Sequence, residues 1–293
     1  MTATPVLRST AALTAVTAIT PIVWGTTYLV TTEFLPPDRP LLSGLLRALP
    51  AGLILLAWRR ELPRGHWWWR SALLGVLNIG AFFALLFVAA YRLPGGVAAT
   101  LGAAQPLVVA GLSPLLLSIA PTRRQLGAGL LGMIGVALMV LTGNADFDLI
   151  GIVAGLAGTA SMATGVVLTK RWGRPTGILA FTGWQLVAGG VFLLPIALVV
   201  EGPPPTLSLP AIAGYAWLGV IGTLLAYVLW FRGIQALPVA AVSFLPLLSP
   251  ITAAALGWAI LDQALNLTQT AGFAVALAAV LLAQHNPQRS ASR

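Results

Sequence analysis

Groups able to move a proton or hold a metal are scarce in this chain. Seven acidic residues and two histidines are spread over 293 positions, and cysteine is absent. Glu33, Asp38, Asp146, Asp148, Glu201 and Asp262 can be placed on one side of a set of apolar runs, and Glu61 on the other. None falls at the centre of a run, where an ionisable group is costly and by default functional. His66 and His285 stand near the ends of runs and form no ligand cluster. Acid–base catalysis, thiolate chemistry and a protein-held metal have no residues to run on, so no enzyme activity, no cofactor and no metal are expected. A buried carboxylate acting as proton carrier is missing on the same grounds. Passage driven by the solute's own gradient fits better.

The chemistry that remains is hydrogen bonding and ring packing. Thr20, Trp24, Thr27, Tyr28 and Thr31 follow a spacing of 3 and 4 residues, which sets them on one face of a helix. Asn78 and Phe82, Thr100 and Gln105, Ser161 and Thr164, Thr223, Tyr227 and Trp230, and Ser243 and Ser249 extend the set. Any one of them could serve an ordinary interhelical hydrogen bond, worth about 0.6 kcal/mol in a membrane. Together they suit a polar, uncharged cavity. The expected substrate-binding residues are Trp24, Thr27, Tyr28, Asn78, Phe82, Thr100, Gln105, Thr164, Tyr227 and Ser243. Arg47 is the one charge well inside a run, about 10 Å along a helix from its end. It either snorkels outward or bonds a carbonyl, or it docks a carboxylate.

The elements that position these residues follow from composition. Hydrophobic residues make up 58% of the chain and charged residues 8%, against roughly 25% charged in a soluble domain. An all-α integral membrane protein is expected. Runs of about 20 apolar residues can be placed ten times, at 12–31, 40–58, 71–91, 95–118, 124–142, 149–169, 177–200, 211–232, 238–261 and 268–285. With the N-terminus inside, 13 Lys and Arg fall in inner segments and only Arg39 and Arg92 in outer ones. That bias places both termini in the cytoplasm. The net charge of +9 forms no patch for nucleic acid. Trp67, Trp68 and Trp69 beside Arg64 and Arg70 read as an interfacial anchor rather than a base-stacking site.

The chain also repeats itself. Leu93-Pro94 followed by Gln105-Pro106 returns as Leu237-Pro238 followed by Ser249-Pro250, at a constant offset of 144 residues. The same offset lays Leu74-Gly75-Val76 on Leu218-Gly219-Val220, Phe87 on Phe231 and Gln125 on Gln269. Two five-helix repeats are expected, 1–145 and 146–293, and an odd span count inverts the second. Pro106 and Pro250 each free a carbonyl one turn earlier and loosen the helix there. Paired broken helices of this kind point to a central transport site, so both prolines are expected to gate. Gly127, Gly132 and Gly135, with Gly272, Ala276 and Ala279, give the fifth and tenth helices small faces. Those faces pack either at the repeat axis or in a homodimer.

These motifs resemble the ten-helix EamA type of the drug/metabolite transporter superfamily. The resemblance rests on Trp24-Gly25-Thr26-Thr27-Tyr28 in the first helix and Arg47-Ala48-Leu49 in the second. It rests also on the Leu-Pro to Pro pattern of the fourth and ninth, and on Gln125 and Gln269 opening the fifth and tenth. The whole chain is most similar to bacterial YddG-type amino-acid exporters. The resemblance implies an inner-membrane secondary transporter that exports aromatic and other neutral amino acids by alternating access. Its partners would be a small molecule and the lipid bilayer. Export of flat aromatic cations is the alternative, and a channel stands behind it. One departure is Leu261-Asp262-Gln263, where many members carry Gly-Glu after the ninth helix.

Overall fold

The computed structural model describes residues 5–93, 98, 101–140, 148–260 and 266–284. Pro94, Thr100, Asp146, Asp262 and His285 lie outside these residues. Among the described residues there is no strand, and ten helical stretches follow one another. They are α1 (Pro5–Phe34), α2 (Pro40–Arg59), α3 (Trp67–Arg92), α4 (Gly102–Leu117), α5 (Arg123–Val140), α6 (Leu149–Trp172), α7 (Ile178–Val200), α8 (Leu209–Ala236), α9 (Val239–Ile260) and α10 (Leu267–Gln284). Seven of them, α1 to α3 and α6 to α9, are long and apolar enough to cross a membrane.

Polarity is distributed as a bilayer demands. Large aliphatic side chains face outward, with Leu115, Val199 and Leu267 more than three-quarters exposed. Thr20, Asn78, Gln185 and Thr223 are wholly buried. In hydrocarbon every backbone polar group needs an internal partner, which helices supply. The chain is a multi-pass membrane protein.

Local chemistry sets the helix ends. α2 stops where Arg60 turns left-handed (φ 51°) and its N–H returns to the Leu56 carbonyl at 2.7 Å. Asp148 caps α6 by accepting the Gly151 N–H at 3.0 Å, and Gly173 (φ 66°) ends it. Ser208 caps α8 through the Ala211 N–H.

α2 and α7 form the central pair and run antiparallel. The Leu41 and Leu42 N–H groups at the start of α2 donate to the Glu201 carboxylate, just beyond α7, at 2.7 and 2.8 Å. At the other end Glu61, just beyond α2, accepts from Thr176 ahead of α7, and its carbonyl accepts from Trp184 Nε1 at 2.6 Å. Between the two ends the backbones touch. A Cβ on Gly52 would sit 2.6 Å from the Val187 nitrogen, and one on Gly190 would sit 2.7 Å from Leu49 Cβ. α5 and α10 form a second antiparallel pair through their small faces. A Cβ on Gly135 would meet the Ala276 nitrogen at 2.5 Å and the Gly272 carbonyl at 2.8 Å.

The remaining contacts repeat when the two halves are exchanged. α1 packs on α8 and α9, as α6 packs on α3 and α4. α2 also packs on α8, as α7 packs on α3. Both third helices carry a π-helical segment at equivalent positions, Val76–Gly80 in α3 and Trp217–Leu225 in α8. Such segments release carbonyls from the regular ladder and favour functional sites. The α4 and α9 breaks are also present: a 3-10 turn at Gly102–Ala104 precedes Pro106, and one at Leu245–Leu247 precedes Pro250.

The tryptophan triplet is divided between surface and core. Trp68 and Trp69 are exposed, but Trp67 is buried edge-on against Phe181. Arg70 sits between the rings of Trp67, Trp69 and Trp172, with centroids 5.2 to 5.6 Å from its guanidinium carbon. One indole of the three thus belongs to the core, where an edge-to-face partner is available.

Candidate functional site

A narrow cavity of about 60 Å³ lies between α1, α2, α3, α4, α6 and α9. Trp24, Thr27, Tyr28, Phe82 and Gln105 line it together with Arg47. Its floor is pinned to the α8 π segment. The Gly222 carbonyl, freed there, accepts both Trp24 Nε1 at 3.0 Å and Arg47 Nη2 at 2.9 Å. Thr20 Oγ1 donates one turn further on, to the Ala226 carbonyl at 2.9 Å. Arg47 also donates from Nε to Thr223 Oγ1 at 2.7 Å and from Nη1 to Thr27 Oγ1 at 3.3 Å. The Phe83 ring covers its guanidinium at 4.6 Å. Arg47 therefore bonds a carbonyl and does not snorkel outward. It is 1% exposed and still lines the cavity.

Four other expected residues stand elsewhere. Asn78 is wholly buried in the α3 π segment, where Nδ2 donates to Gln185 Oε1 at 2.8 Å and to Thr169 Oγ1 at 3.2 Å. Tyr227 is wholly buried too, and its hydroxyl donates to the Asn78 carbonyl at 3.2 Å. Asn78 and Gly222 are separated by the repeat offset of 144 residues. Each π segment thus offers the equivalent carbonyl to side-chain donors. Thr164 returns its hydroxyl to the Ala160 carbonyl at 2.8 Å. Ser243 does the same to Ala240 at 2.8 Å and lines, with Pro106, a smaller cavity of about 20 Å³. Asn78 bonds other buried side chains and the other three bond backbone carbonyls, and none of the four lines the main cavity. Thr100 lies outside the described residues.

Sequence reasoning missed the α6 wall. Gly155, Gly158, Thr159 and Met162 line the cavity. The signal was present as small residues at helical spacing, which let a neighbouring helix come close. Beyond the lining residues Ala89 and Gly155, α3 and α6 are tied by Arg92 and Asp148 at 2.8 Å. The Gly151 N–H, and then Arg92, hold the Asp148 carboxyl below the usual carboxylate range. At the far end of α6, Lys170 Nζ donates to the Ile234, Gln235 and Leu237 carbonyls at 3.0, 2.9 and 2.8 Å. Gln235 Nε2 returns a bond to the Thr169 carbonyl at 3.1 Å. That end is closed. No cluster of three or more metal-ligating side chains occurs among the described residues.

The cavity lining combines rings and apolar side chains with hydrogen-bonding groups and, among the described residues, holds no carboxylate, histidine or thiol. The EamA-like transporter family matches residues 11–141 and again residues 149–284. The chain belongs to the EamA-like transporter family. Within it, Protein PecM of Dickeya dadantii (strain 3937) is 48% identical over 266 residues, covering 90% of this chain and 89% of that protein. The uncharacterized inner membrane transporter YedA of Escherichia coli (strain K12) is 29% identical over 273 residues, covering 89% and 87%. A solved crystal structure shares the fold, with a TM-score of 0.76 at 16% identity over 94% of this chain and 96% of the other. The EamA family is one of membrane transporters, not enzymes.

Proposed function

We propose that this EamA-family protein is a secondary exporter of small amphipathic metabolites, foremost aromatic and other neutral amino acids. One observation carries the reading: a ring- and hydroxyl-lined cavity walled by helices of both halves, beside the N-terminal part of α6, while Lys170 ties the other end of α6 to α8. A central site walled by helices of both halves is what alternating access needs.

The two halves are read as inverted five-helix repeats, 1–145 and 146–293. The antiparallel α2–α7 and α5–α10 pairs, the exchangeable contacts and the separate family matches to each half support this. Pro106 and Pro250 are read as hinges, each beside a 3-10 turn. The small faces of α5 and α10 are used within one chain, so a homodimer is not routed through them. The protein is placed in the cell inner membrane with both termini in the cytoplasm. A cysteine put at Asp148 should then react with an impermeant thiol reagent in intact cells; reaction only after lysis removes this orientation.

The decisive test is uptake by purified protein in liposomes, with a panel of amino acids, with and without a pH gradient. Saturable uptake and counterflow of phenylalanine without any pH gradient are expected. Uptake that needs the gradient refutes gradient-driven passage, and non-saturable flux replaces the carrier with a channel. Transport of a quaternary ammonium but no amino acid favours the multidrug alternative.

A further inference from the structure

The charge balance of the cavity is unfinished. Arg47 is its one charged lining residue. Its three hydrogen-bond acceptors are neutral, two hydroxyls and a carbonyl. A guanidinium has five N–H donors, so two remain without a protein acceptor. The two ion pairs among the described residues, Arg59–Glu61 and Arg92–Asp148, involve other residues. A buried cation ordinarily has a counter-charge, because desolvating it alone is expensive.

A second donor lines the same space. Gln105 on α4 is 3% exposed, and its Nε2 has no partner. Two hydrogen-bond donors, one of them charged, thus share a cavity with no lining carboxylate. Trp24, Phe82 and Met162 supply the apolar surface. Such a site is built for an acceptor-only, negative group joined to a flat body.

We infer that Arg47 and Gln105 form a carboxylate-binding subsite, so that the cavity takes aromatic carboxylates and rejects aromatic cations. The inference rests on the exporter reading and names the substrate group it recognises. A zwitterionic amino acid satisfies the subsite through its carboxylate, with the Tyr28 and Ser249 hydroxyls available to its ammonium. An aromatic cation brings a like charge to Arg47 and offers Gln105 no acceptor. Loading a carboxylate neutralises the site, whereas the empty carrier keeps its positive charge.

Ligand-induced thermal stabilisation of the purified protein tests this with three probes of one size: 3-phenylpropanoate, phenylalanine and 2-phenylethylammonium. The first two should raise the melting temperature and the third should not. Arg47→Gln should weaken 3-phenylpropanoate binding by about tenfold or more, the scale of one charge-assisted hydrogen bond. Arg47→Lys should keep most of the affinity, and Gln105→Leu should lose less than Arg47→Gln. If Arg47→Gln fails to fold, the wild-type ranking and Gln105→Leu still decide. Stabilisation by the cation equal to that by the carboxylate overturns the subsite. So does a lack of stabilisation by either carboxylate, or unchanged affinity in the variants. Failure of the two readings is separable. A protein that binds 3-phenylpropanoate yet moves no amino acid in liposomes keeps the subsite and loses the exporter. One that moves phenylalaninamide as fast as phenylalanine keeps the transporter and loses the subsite.

Discussion

Replacing Lys170 with Met should loosen the end of the bundle where α6 meets α8. The ammonium joins α6 to the last carbonyls of α8 through three hydrogen bonds of 2.8 to 3.0 Å. Met keeps the apolar stem and removes the donors and the charge. Hydrogen bonds to a charged group contribute about 1.5–3 kcal/mol, and a cation at a helix C-terminus about 0.3–1 kcal/mol. Lys170 is half-buried, and freed carbonyls at this end can be met by water, so about 1.5 kcal/mol is a fair net loss. At about 1.4 kcal/mol per factor of ten, the ratio of closed to open molecules should fall about tenfold. The chain has no cysteine, so a single introduced thiol reports cleanly. Ile234→Cys, wholly buried beside the contact, should label about tenfold faster in the Lys170→Met background. Ala89→Cys, 1% exposed on the cavity wall, should label more slowly. Lys170→Arg should restore both rates. Unchanged labelling would show that these bonds merely cap α8. A rise at both probes would show general loosening, and either result refutes the latch.

Three further outcomes follow from the structure. Pro106→Ala and Pro250→Ala should shift accessibility at the two mouths in opposite senses, since the halves are read as inverted; shifts of the same sign, seen with the same thiol probes, reject paired hinges. The Asp148 carboxyl is held below its usual range, so its charged form adds stability above about pH 4. That stability is lost as pH falls through the lowered folded value. Asp148→Asn keeps a capping side chain, so it should melt lower than wild type at pH 7 and approach it in acid; a constant difference in Tm across pH would contradict the charge argument. Gly135→Leu should separate α5 from α10, because even a Cβ there meets backbone at 2.5 Å. A loss of at least about 1–3 kcal/mol is expected, seen as a lower melting temperature, and wild-type melting would mean that the pair is not tightly packed.

The helical framework was legible because lipid imposes one simple rule on each run of residues. Each of the ten expected runs overlaps a single helix, and the breaks near Pro106 and Pro250 stand where a missing N–H must leave them. Five cavity residues were readable for a similar reason: a polar or aromatic stripe such as Trp24, Thr27 and Tyr28 cannot face hydrocarbon. What the stripe does not say is which polar groups satisfy each other. Asn78 finds Gln185, 107 positions away, and so leaves the cavity set. Ser243 and Thr164 fold back on their own helices, an option open to any Ser or Thr. The π segments carry no hydrophobic signature, so the acceptor that holds Arg47 could not be foreseen. The glycines of α6 read as packing residues, and they are also a cavity wall because small side chains leave room on both accounts.

The carboxylate clasps on the α2–α7 pair divide the labour of the bundle. Glu201 fastens one end, Glu61 the other, and the glycines leave no play between. Two rods riveted at both ends cannot splay or slide, so they act as a chassis. Under the proposed alternating access, the rocking would fall to the helices mounted on it, the broken α4 and α9 first among them. A cross-link that freezes α2 to α7 should leave turnover intact. The same restraint between α4 and α9 should stop the machine, and equal turnover in the two cross-linked proteins would mean that the moving part lies elsewhere.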